Sequence, residues 1–405
     1  MQKYALLVIA RGVNIQPDQK LLIRSDVRDA YFVNLLTEIA YQRGAKDVLV
    51  RWHSDVTGKL RYLHGHEDIF GVKKQWLVEY TNMIVEEDYQ LLTLVSSDPQ
   101  LLEDVDPDKL KKENDTATDI FKPLQEKTRA NAVQWTIVNL PSPEWARKVF
   151  PCSTDIEEAE EMMWEAIFNV NLIDDNDPLD NWDKHISSLK ALAKKMNDYN
   201  FKSITFKNSL GTKLEVGLPE GHQWISCGQA TQTGNAFISN LPTYEIYTAP
   251  HRNQVTGIVY STKPIIYMGN IIDDFGIRFE EGQVIDYKAN VGQEHLQALI
   301  SRYPNGNFLG EVALVPQSSP ISYLGLLWYR TIYDENASSH LALGNGYPPT
   351  VKDTESLTEA ERMTRGLNQC ESHVDFMIGS PCLQVTGKTH DGQHVQVFIN
   401  GEWAI

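Results

Sequence analysis

Apolar residues along the first half of the chain come in short unbroken runs separated by helical stripes. Leu21-Leu22-Ile23-Arg24 predicts a strand. Ser25 or Asp26 then caps a helix whose Phe32, Leu35, Leu36 and Ile39 recur at helical spacing, and Gly44 ends it. Val48 to Val50, Leu91 to Val95 and Trp135 to Val138 predict three more strands, with helical stretches between them that include 108–127. Near-continuous apolar strands alternating with helices indicate a mainly parallel sheet covered on its faces. Two further helices follow. One spans about 155–170, striped by Ile156, Ala159, Met163 and Ile167; the other spans about 182–196, striped by Ile186, Leu189 and Ala193. The turn Asp177-Pro178 separates them.

The period changes after Asn200. Ser203 to Phe206 and Lys213 to Val216 alternate with period two, and turn glycines recur at Gly211, Gly269 and Gly282. Asp391-Gly392 followed by His394 to Phe398 is a hairpin signature. The expected organisation is an α/β N-terminal domain, residues 1–197, followed by an α+β C-terminal domain, 198–405, rich in antiparallel strands. The second is expected to be catalytic and metal-binding, the first structural or shielding.

Charge narrows the function. The sequence has 37 Lys and Arg against 54 Asp and Glu, a formal net charge of −17. That balance opposes binding to nucleic acid, which needs clustered cations, and equally to an anionic membrane. The four cysteines form no CxxC pair or disulfide framework, which fits a reducing compartment. The apolar run Ala5 to Ala10 is too short for a leader peptide core, and no stretch has the length of a membrane span. The expected setting is the cytoplasm. No GxxxxGK[ST], GxGxxG, HExxH or GxSxG motif occurs, so the α/β half carries no nucleotide fingerprint.

Candidate chemistry lies in four C-terminal segments that place acceptors where burial is expected. They are Asn240 to Pro250 around Glu245, Gly310 to Val315 with Glu311 opening an apolar strand, Asp334 to Gly344 around His340 with Tyr347 just beyond, and Ser372 to Gly379. Read as a strand, the last puts His373 and Asp375 on one face and Val374, Phe376 and Ile378 on the other. Each signal is weak alone. Three carboxylates and two imidazoles together are costly to bury without compensation, and divalent cations supply it. Two such ions against three carboxylates leave a charge of about +1, which favours hydroxide over water. Five ligands for two ions also require one carboxylate to bridge and leave positions open for water and substrate.

The segments NLPTYEIYTAP, GEVALV, DENASSHLALGNGY and HVDFMIGSP resemble the motifs of the thermophilic metallo-aminopeptidase family, the aminopeptidase T and aminopeptidase S type. The spacings of 66 residues from Glu245 to Glu311 and 29 on to His340 resemble it too. The likeness extends over the whole chain, from YALLVIARGVNIQPDQKLLIRS onward. It implies that Glu245, Glu311, His340, His373 and Asp375 hold two divalent ions (cobalt, zinc or magnesium), with Glu311 bridging. It implies that Tyr347 stabilises the tetrahedral intermediate, that peptides lose their N-terminal residue to a two-metal-activated water, and that the chain forms a homodimer. Either Glu245 or Glu311 is expected to shuttle the proton. One departure is Cys370, where the resemblance expects serine. The competing expectations are a dipeptidase or small-amide hydrolase, and a metal-stabilised binding protein without catalysis.

Overall fold

The computed structural model describes all of residues 1–405. The chain divides into two compact units, one of 1–184 with 228–242 and the other of 185–227 with 243–405.

In the first unit, strands Lys20–Asp26, Asp47–His53, Gln90–Val95 and Trp135–Asn139 pair in parallel. The apolar runs Leu21 to Ile23 and Leu91 to Leu92 are buried. A fifth strand, Asn240–Leu241, adds in parallel beside Trp135–Asn139. Two residues carry no periodic signal, so the pattern of the sequence does not predict it. Side-chain acceptors mark some of the helical starts. Asp26 accepts from Arg28 N ahead of helix Ala30–Gln42, and Asp155 accepts from Glu158 N at the head of Ile156–Val170. Each satisfies a helix-end N–H that has no partner within the helix. Helix Pro178–Tyr199 begins earlier than the stripe predicted, because Pro178 suits a first turn. Trp182 is fully buried and its indole donates to Asn171 O at 2.6 Å. Trp182→Ala is expected to cost about 3–5 kcal/mol through cavity formation, measured as a lowered midpoint of denaturant unfolding.

The second unit holds two antiparallel sheets. The larger has nine strands and includes hairpin Gln384–Lys388 with His394–Ile399, as the Asp391-Gly392 signal predicted. The smaller has five, in the order Ile225–Ser226 at one edge, Ile246–Thr248, Leu309–Leu314, His340–Gly344 and His373–Met377 at the other. Ile246, Val312, Leu314, Leu341, Leu343 and Phe376 face the common core of this unit. No helix of the chain is long and apolar enough to cross a membrane.

Candidate metal centre

The strand registers decide which side chains share the opposite face of the small sheet. Tyr247 pairs with Ala313, Ala313 with His340, and His340 with Met377. Glu311 pairs with Ala342 and Ala342 with Asp375, while Gly344 pairs with His373. Side chains alternate along each strand, so Glu311, His340, His373 and Asp375 all project from one face. Glu245 lies one residue before its strand and two before Tyr247, on that same face. Between these side chains in the register sit Ala313, Ala342 and Gly344, none carrying more than a methyl group. Glu311 is the third residue of its strand rather than its opener, and a register shift between Leu309 and Glu311 accompanies it. There Gly310 passes so close to Asn345 that an added Cβ would lie 2.2 Å from its carbonyl oxygen. That carbonyl orients His373.

The five predicted groups meet. His340 Nε2 lies 3.2 Å from Glu245 Oε2 and 3.7 Å from Glu311 Oε1. His373 Nε2 lies 3.4 Å from Glu311 Oε2 and 3.2 Å from Asp375 Oδ1. Two triads result, Glu245–Glu311–His340 and Glu311–His373–Asp375, each with its ligand atoms within 4.8 Å of one another. Glu311 belongs to both.

The outer nitrogens fix the tautomers. His340 Nδ1 faces Ser338 O at 3.0 Å and His373 Nδ1 faces Asn345 O at 2.8 Å. A carbonyl only accepts, so each Nδ1 carries the proton and each Nε2 of the neutral ring turns a lone pair inward. Glu245 Oε2 and Asp375 Oδ1 are buried without a hydrogen-bond partner. The centre is therefore acceptors facing acceptors, an arrangement that needs cations. The donor set of imidazole nitrogen and carboxylate oxygen suits a divalent metal ion.

Electrostatics point the same way. Burial opposes charge on His340, but Glu245 and Glu311 outweigh it and raise its pKa well above the ordinary range. Burial likewise opposes charge on His373, and Asp375 with Glu311 pushes it up to about 9. Burial would raise Asp375; the charge that His373 carries when protonated holds it low instead. Burial raises Glu311 despite His340. Without cations, protons fill the centre. A cation must displace them, so its uptake at pH 7.5 is expected to release protons and its apparent affinity to fall as pH drops below about 9. Calorimetry in buffers of differing ionisation enthalpy measures that release; uptake with no proton exchange contradicts it.

Tyr347 stands at the open side. It is 42 % exposed, with its ring centroid 4.9 Å from that of His373. Burial, then Glu311 and Asp375, raises its phenol pKa and keeps it a proton donor. Two groups were passed over in the sequence. Tyr247 also has a raised pKa, from burial and from Glu311 and Glu245, and its position two residues after Glu245 was the available signal. Glu335 hydrogen-bonds Asp375. Burial and the neighbouring Asp375 and Glu245 raise its pKa well above the usual carboxylate range. Cys370 is not among the clustered donors; its sulfur contacts Ser372 Oγ at 3.4 Å. A third cluster, Asp26–His53–Asp55, lies in the first unit. Its Asp26 already accepts from the N–H groups of Arg28 and Asp55 and its His53 is exposed, so it lacks the acceptor surplus of the main centre.

A buried, acceptor-only centre with an open side and a phenol beside it is the arrangement of a metal-dependent hydrolase. Comparison with known proteins narrows this. Residues 1–403 match the thermophilic metalloprotease family, M29, and the chain belongs to it. It is 37 % identical over 409 residues to aminopeptidase PepS of Streptococcus thermophilus, an alignment covering 100 % of this chain and 98 % of that one. It is 35 % identical over 405 residues to aminopeptidase T of Thermus thermophilus, covering 100 % and 98 %. The solved structure of wild-type AmpT from Thermus thermophilus superposes with a TM-score of 0.92 at 34 % identity, covering 100 % of this chain and 98 % of that one.

Proposed function

We propose that this metallo-aminopeptidase removes the N-terminal residue from peptides, with Glu245, Glu311, His340, His373 and Asp375 holding two divalent ions and Glu311 shared between them. The observation that carries this reading is the convergence of five acceptors with no donor among them, divided into two triads joined at one carboxylate. When bound, the ions supply Lewis acidity that makes water nucleophilic near neutral pH and polarises the scissile carbonyl.

The protein's own groups do the rest. Ser338 O and Asn345 O hold the two imidazoles in the ligating tautomer. The Tyr347 hydroxyl, kept protonated, donates to the oxyanion as it develops. Glu335 hydrogen-bonds Asp375 and lies outside both triads, so once cations offset the carboxylates that raise its pKa it is placed to take a proton from water and return it to the leaving amine. This extends the choice between Glu245 and Glu311 that the sequence left open. The same reading includes peptides as substrates, a homodimer and a cytoplasmic setting. Light scattering of purified protein tests the dimer.

The experiment is an assay on leucine p-nitroanilide with purified protein. Turnover is expected to fall to background with chelator and to return on adding cobalt, zinc or magnesium. Turnover indifferent to chelator would defeat the proposal.

A further inference from the structure

The His373–Met377 strand is the outermost of its sheet. One side bonds to His340–Gly344; the other meets no strand along His373 to Asp375. The hydrogen bonds establish which backbone groups face which way. Ile378 N donates to Ser339 O at 2.9 Å, which extends the same register and makes the even-numbered residues the ones bonded inward. Met377 O accepts from Thr262 N at 2.9 Å on the outer side, as an odd-numbered residue should. The N–H and C=O groups of His373 and Asp375 therefore also point outward.

A cavity of about 320 Å³ runs along this edge. His373, Asp375 and Met377 form one wall, and Ile265, Ile271 and Leu327 contribute to the others. Its first two wall residues are themselves members of the candidate centre, so the cavity borders it. Alternate outward backbone groups, a mostly apolar lining interrupted by Asp273, Arg330 and Asp334, and a border shared with the centre match an extended peptide, which pairs with a free strand edge through its main chain.

Building on the aminopeptidase reading, we propose that the free edge along His373 to Asp375 binds the substrate's backbone as an added strand, beyond the residue being removed. Main-chain pairing grips any sequence, so the edge supplies affinity without side-chain selection. Strand pairing has period two. Of two consecutive substrate N–H groups, one therefore faces the edge and the next faces away.

The test uses the wild-type, metal-loaded protein and four probes: leucine p-nitroanilide, the peptide Leu-Ala-Ala-Ala, and two analogues in which an ester oxygen replaces the N–H of residue three or of residue four. Release of free leucine is followed for the peptides. One ester is expected to lower kcat/KM about fivefold, mainly through KM, as for loss of one hydrogen bond, while the other stays within twofold of the parent. Both esters within twofold of the parent, with anilide turnover intact, would overturn the edge proposal alone. No turnover of anilide or peptide with metal added would overturn the aminopeptidase reading and this inference with it.

Discussion

Glu311→Gln should reduce kcat by about a thousandfold or more, equivalent to several kcal/mol of lost transition-state stabilisation. Glu311 is the one residue common to both triads, and each of its oxygens faces a different imidazole, Oε1 towards His340 and Oε2 towards His373. An amide has the same shape but offers one acceptor oxygen and presents an NH₂ donor to the other side. One triad keeps its third ligand and the other meets a donor. Metal content should drop with activity, while the strand Leu309–Leu314, whose other face holds Val312 and Leu314 in the core, stays in place. Steady-state kinetics together with metal analysis read both effects. Near-normal turnover with two ions retained would defeat the shared-ligand assignment.

Tyr347→Phe should lower kcat by about 10²–10³, the usual effect of losing one oxyanion donor, with KM little changed. The ring contacts with His373 and Tyr247 do not need the hydroxyl and should persist. A loss confined to KM would place Tyr347 in binding rather than in transition-state stabilisation, and activity within threefold of wild type would remove it from the mechanism.

The clustering of the five side chains proposed as ligands was legible in the sequence because two independent constraints coincide at them. Period two puts His373 and Asp375 on one face, and burial of acceptors in apolar surroundings demands compensation. The four parallel strands of the first unit were legible for a similar reason, since runs such as Leu21-Leu22-Ile23 bury both faces. What escaped lacks periodicity. Glu335 sits in the short 3-10 turn Glu335–Ala337, where no spacing rule points a side chain anywhere. Asn240–Leu241 joins its sheet through a pairing more than 100 positions distant in the chain, with Ile137 and Val138. The irregular register beside Gly310 depends on a close approach to Asn345 that only the folded backbone reveals.

In the proposed centre one shared carboxylate joins two cation sites. Crystals of the protein grown with zinc, with diffraction recorded on either side of the zinc absorption edge, test it most directly. Two anomalous peaks per chain are expected, one within coordination distance of Glu245 and His340, the other of His373 and Asp375, with Glu311 reaching both. A single peak, or peaks away from these five side chains, would contradict that arrangement.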